Sequence, residues 1–216
     1  MSPLLLADIE SDVIFRVADA LRVPVLVLTL LALLWLLWEC GAFAVELVRR
    51  RRRDFRRLDA AAAGVRESLV AGRDRGVVAS EVQAVAWSGE MGRTLDFMVR
   101  EVGTPGDEQR LSKALADFDF GSLRRLERTR LLVRAGPALG LMGTLIPLSP
   151  ALAGLARGDV QTLTENLRVA FSVTVLGLLI GAVAFGISLV RDRLYGQDLS
   201  DLEYLAAAVT RKADGA

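Results

Sequence analysis

AGPALGLMGTLIPLSPALAGLA, residues 135–156, and VAFSVTVLGLLIGAVAFGISLV, residues 169–190, decide the fold. Each runs 22 residues without an Asp, Glu, Lys or Arg. At a rise of about 1.5 Å per residue each makes a helix of about 33 Å, enough to cross a hydrocarbon core of about 30 Å. A third apolar stretch, 23–45, is broken only by Thr29 and Glu39. Three such stretches in one short chain leave too little other material to bury them, so they read as membrane spans rather than core helices. The expected class is an all-α integral membrane protein with three transmembrane helices.

The surrounding charges set a direction. Residues 49–134 hold 19 Lys and Arg, and the tail from Arg191 holds four. Residues 1–22 hold two, as do residues 157–168. The positive-inside rule then places 49–134 and the tail in the cytoplasm and the N-terminus outside. Arg49, Arg50, Arg51, Arg52 and Arg53 follow the first span directly and read as its topology anchor; a lipid-headgroup or nucleic-acid site is the other reading of that run. Residues 1–22 start acidic (Asp8, Glu10, Asp12), unlike a cleaved signal peptide. Leu6, Ile9, Val13 and Val17 form one stripe there and Asp8, Asp12, Arg16 and Asp19 another, the pattern of an amphipathic helix lying on the outer face.

The expected organisation is an outer-face amphipathic helix (1–22), a first span (23–48), a cytoplasmic helical segment (49–134), a second span (135–156), an outer loop (157–168), a third span (169–190) and a cytoplasmic tail (191–216). Within 49–134, residues 53–70 are expected to continue helically from the first span. Residues 79–102 read as one helix, with Val82, Val85, Met91, Leu95 and Met98 as inner positions. Thr104-Pro105-Gly106 is a turn. A short helix is expected from Asp107 to about Asp117. Ser122 is the expected N-cap of the next, which carries Leu123, Leu126, Thr129 and Leu132 into span two. Long helices reaching beyond the membrane are therefore expected.

The 216 residues balance 27 Lys and Arg against 26 Asp and Glu, which argues against general nucleic-acid binding. There is no histidine and one cysteine, Cys40. His-based catalysis, the usual zinc sites and a disulfide framework are excluded. No nucleophile–base pair, metal-ligand cluster or phosphate-binding glycine loop is present, so neither an enzyme, a metal nor a cofactor is expected.

Spans two and three differ from the bulky first span. Gly136, Gly140 and Gly143 share a face in span two, and Gly177 and Gly181 share one in span three; small faces allow helix backbones to approach. Pro147 and Pro150 each remove a backbone donor and invite a kink. Thr144 in span two and Thr174 in span three can hold water or relay a proton, or simply bond their own helix carbonyls. Neither span carries a titrating group, so a mid-membrane carboxylate would have to come from a partner. Glu39 is the one ionisable residue inside a span. It lies about 24 Å along the first helix, near the cytoplasmic boundary, where water or an arginine is within reach.

Residues 136–147, GPALGLMGTLIP, resemble the second-span motif of the MotA/TolQ/ExbB proton-channel family, and residues 170–178, AFSVTVLGL, resemble its last-span motif. The predicted topology agrees. A short cytoplasmic segment sets the chain closer to a TolQ/ExbB-like or little-studied branch than to flagellar MotA. The resemblance implies a homo-oligomer, a pentamer, in the cell inner membrane. It surrounds a single-span ExbD/TolR/MotB-like protein whose span carries an aspartate. It implies that Thr144 and Thr174 flank that aspartate, with Ser172 and Gly177 also lining the path, and that proton flow drives the partner. The chain departs from the family pattern at two places. The polar position just before the last-span threonine falls on Ser172 and Val173, and a carboxylate found one turn earlier in some relatives is Val169. These departures favour the alternative, a non-conducting membrane scaffold of the same fold.

Overall fold

The computed structural model describes residues 16–17, 20–51 and 54–210. Its described residues form six helices and no strand: α1 (Arg22–Arg50), α2 (Phe55–Val70), α3 (Arg75–Val85), α4 (Gly89–Glu101), α5 (Asp107–Ala156) and α6 (Val160–Thr210). Three of them, α1, α5 and α6, are long and apolar enough to cross a membrane. The proposed surface helix over 1–22 falls almost wholly outside the described residues, as do Arg52 and Arg53.

The expected boundaries shift in four places, each for a local reason. The first span does not continue into 53–70, because α1 stops at Arg50 and α2 starts afresh at Phe55. Consecutive arginines repel one another in a helix, and Asp54 offers a better arrangement: its carboxylate accepts from the N–H groups of Arg56 and Arg57 at 3.1 and 3.4 Å. The helix expected over 79–102 is two helices. Ser88 breaks it by capping α4, its Oγ accepting from Met91 N–H at 3.1 Å. The break expected at Gly121-Ser122 is absent, and α5 runs through as a 50-residue helix. Ser122 is buried on one stripe with Phe118 and Leu126, and a Cβ at Gly121 would stand 3.4 Å from Glu90 Oε1, so packing against α4 outweighs the poor helix propensity of both residues. The loop expected over 157–168 shrinks to Arg157–Asp159. Gly158 turns the chain at φ +78°, and Asp159 caps α6 by accepting from Thr162 N–H at 3.0 Å and from its hydroxyl. Those bonds hold the Asp159 carboxyl below its ordinary range.

The chain divides into two compact units: residues up to Gly41 with Arg128–Ser188, and Ala42–Glu127 with the residues from Leu189 onward. In the first, α1 buries Val25, Thr29, Ala32, Leu36 and Glu39, spaced alternately four and three apart. That seam is the knobs-into-holes repeat, and its Ala32 and Leu36 pack with Leu132 and Leu139 of α5 and Ile180 and Ala184 of α6. Only 28, 33 and 39% of the three apolar stretches is buried. Exposed side chains such as Leu34, Trp38, Leu145, Phe171 and Val175 leave a surface too apolar for water and suited to lipid.

The second unit has a core of Leu58, Val65, Val78, Met91, Leu95 and Leu202, among others. Of the inner positions predicted for 79–102, Val82, Met91, Leu95 and Met98 are buried and Val85 is half-buried. An ionic network accompanies this core. Arg50 forks onto Asp198, with Nη1 donating to Oδ1 at 2.8 Å and Nη2 to Oδ2 at 2.5 Å. Trp87 Nε1–H donates to the same Oδ1 at 3.0 Å. Arg191 Nε and the Tyr195 hydroxyl both donate to Glu46 Oε2. Burial, with Glu46 beside it, pushes the Tyr195 phenol up to about 12, so it remains a protonated donor. Asp198 and Arg50 side chains are 2% and 8% exposed. Removing one partner of a buried pair leaves an uncompensated charge. Asp198→Ala is expected to cost about 3 kcal/mol of stability, with a lowered melting temperature and a red-shifted Trp emission in detergent. Unchanged melting would show that the network carries no stability.

Candidate functional site

Helices α5 and α6 meet along a glycine seam. A Cβ at Gly177 would fall 2.5 Å from Gly136 O, 2.7 Å from Gly140 Cα and 2.8 Å from Gly140 N. A Cβ at Gly136 would fall 2.6 Å from Gly177 O and 2.8 Å from Gly181 N. Gly181 faces the Pro137 ring, with a Cβ there 2.8 Å from Cδ. A Cβ at Gly140 would fall 3.3 Å from the Thr174 backbone, and Gly143 receives the Val173 side chain. The backbones touch because these positions lack side chains.

Thr174 sits in this seam, half-buried. Its Oγ1 lies 3.2 Å from Gly140 O on the opposite helix and 3.1 Å from Ala170 O on its own. A hydroxyl has one proton, so it donates to one carbonyl at a time, or shares between the two, while its lone pairs remain able to accept. Thr144 is half-buried and donates to Leu141 O at 2.8 Å. Ser172 is exposed and donates to Arg168 O at 2.8 Å. Thr144 and Ser172 thus bond within their own helices, whereas Thr174 also reaches across. Gly177 lies in the helix crossing itself, and Val173, beside Thr174, is buried against Gly143.

Pro137, Pro147 and Pro150 all lie inside continuous α5. Glu39 is buried on the packed face of α1 rather than reaching water. Arg49 is exposed, but Arg50 turns inward to Asp198, so the arginine run is divided in role. Two features escaped the sequence reading. Arg22 donates to Asn166 Oδ1 at 2.9 Å, and buried Asn166 donates back to Thr162 O at 2.9 Å, tying the start of α1 to α6. Trp87 and Asp198 meet across 111 positions of chain. A polar residue expected in a loop, Asn166, and a lone aspartate in a tail gave no periodic signal. Among the described residues no three His, Cys, Asp or Glu side chains converge as a metal site.

Residues 98–200, which hold the entire seam and both threonines, match the MotA/TolQ/ExbB proton channel family. This stretch is a MotA/TolQ/ExbB domain. No curated protein matches the chain. The matched domain belongs to a proton-channel family, and together with the three apolar helices it supports a membrane protein.

The seam makes a sharp prediction for this MotA/TolQ/ExbB domain. Gly177→Ala forces backbone apart and should cost about 1–3 kcal/mol. Gly186→Ala, where an added Cβ meets nothing within 4 Å, should be neutral or mildly stabilising. Thermal unfolding of both variants in the same detergent checks it; equal melting temperatures would mean the seam tolerates separation.

Proposed function

We propose that the chain is the channel subunit of a proton-motive-force-driven motor complex of the cell inner membrane. It works as a homo-oligomer, a pentamer, around a single-span ExbD/TolR/MotB-like partner with an intramembrane aspartate. The N-terminus lies outside and residues 49–134 lie in the cytoplasm, as the arginine distribution supports. Protons pass between the partner's aspartate and the hydroxyls of Thr144 and Thr174, with Ser172 and Gly177 also lining the path.

The observation that carries this reading is Thr174. It holds a hydroxyl at the contact of two helices whose apolar stretches contain no ionisable residue. With its proton donated to a carbonyl, its lone pairs can accept from a protonated carboxyl or a water, and rotation of the hydroxyl about the Cβ–Oγ1 bond exchanges the donor direction. A threonine alone cannot store a proton near neutral pH, which is why the aspartate must come from elsewhere.

A non-conducting scaffold is the second reading. Val173 favours it: the position before Thr174 is apolar and spent on packing against Gly143 rather than on a polar path.

One reconstitution separates the two. The complex, purified from native membranes with its single-span partner and placed in liposomes, should acidify the lumen under an imposed gradient. Thr174→Val, which keeps shape but removes the hydroxyl, should lower that flux by roughly a hundredfold. An assembled complex with no flux supports the scaffold. Native mass spectrometry of the same sample should give five copies of the chain; a monomer would overturn the ring.

A further inference from the structure

In the second unit a groove runs between the end of α1 and the start of α4. Its floor and rim include Ala42, Val45, Arg49, Gly89, Arg93 and Arg125. Arg50, Glu46 and Glu90 complete its charged lining, so four arginines face two glutamates. Arg50 is spent on Asp198, and Glu90 is shared between Arg125 and, at 3.9 Å, Arg93. Arg49 is exposed and makes no hydrogen bond or ion pair among the described residues. The excess charge is therefore positive, and its guanidinium groups are accessible: the Arg93 side chain is 74% exposed and that of Arg125 42%.

The two edges of the groove differ in chemistry. Ala42 and Val45 lie at the end of the apolar run 23–45 of α1, and Val45 and Val48 are exposed. One helical turn further, Arg49 begins the cationic edge. Opposite it α4 begins, with Ser88 taking up the Met91 and Gly92 N–H groups and leaving those of Gly89 and Glu90 without intrahelical acceptors. The Gly89 position is open, with nothing within 4 Å of where a Cβ would be. Apolar on the side that continues a membrane-spanning helix and cationic on the other, the groove has the polarity of a lipid molecule.

We propose that this groove binds an anionic glycerophospholipid. The phosphate lies between Arg49 and Arg93, where guanidinium forks match its oxygens, and an acyl chain follows Ala42 and Val45. Bound there, the lipid bridges the end of a membrane-spanning helix and the α3–α4 pair. The inference is independent of proton conduction and holds for a scaffold equally.

Native mass spectrometry of the full chain in mild detergent, titrated with phosphatidylglycerol, tests it. The wild type should retain lipid adducts, and Arg49→Gln with Arg93→Gln should weaken retention by roughly tenfold. Both side chains are exposed, so the double variant should melt like the wild type. Arg73→Gln, whose partner is Glu81, should retain lipid normally. Titration with inorganic phosphate alone separates a free anion from a lipid. Phosphate that binds as tightly as the lipid would overturn the lipid assignment, as would equal lipid retention by the wild type and the double variant.

Discussion

Helices α5 and α6 lie so close that a single methyl group at Gly177 would fall within 2.8 Å of three backbone atoms of α5. In lipid there is little hydrophobic gain from pairing two apolar helices, since the surrounding chains are as apolar as leucine. Close contact must supply the attraction through dispersion and through polar groups brought within reach. Gly136, Gly140, Gly177 and Gly181 allow that approach, and the Leu132, Leu139, Ile180 and Ala184 side chains around it complete the packing with α1. The same approach brings the Thr174 hydroxyl within 3.2 Å of a carbonyl on the neighbouring helix. A wider crossing would leave that hydroxyl only its own helix to bond.

The second unit is held by different means. It has an aqueous-type core of Leu, Val and Met, and a charged network in which Asp198 accepts from Arg50 and Trp87. Each donor comes from a distant part of the chain, so the network defines how the ends of α1 and α6 and the α3–α4 connection assemble. Burial raises the stakes: an intact fork compensates the desolvation of both ions, and a broken one leaves a charge in a medium that cannot solvate it.

Charge and apolarity are separated along the chain to an unusual degree. The 22-residue stretches of spans two and three carry no ionisable group, whereas residues 49–134 carry 19 Lys and Arg. This separation lets one chain present hydrocarbon-compatible surface in one unit and an arginine-lined groove in the other. The membrane-spanning class follows from that division, because it is written in contiguous residues.

The apolar stretches, their lengths and the glycine and threonine spacings were legible in the sequence because they are local and periodic, and they sufficed for an all-α membrane fold; the family entered only through the resemblance of residues 136–147 and 170–178 to its motifs. Helix breaks were less legible. The Ser88 cap and the Asp54 cap are local signals, yet at Gly121-Ser122 an equally good local signal is overridden by burial of Phe118, Ser122 and Leu126 and by the close approach of α4. Only the tertiary structure decided which hydroxyl crosses between helices, that Arg50 turns inward while Arg49 stays exposed, that Glu39 is buried, and that Asp198 meets Trp87. The reason is the same in each case. Periodicity states which face of a helix a residue occupies, but its partner is set by the helix that arrives opposite, and that is fixed by close packing across the whole chain.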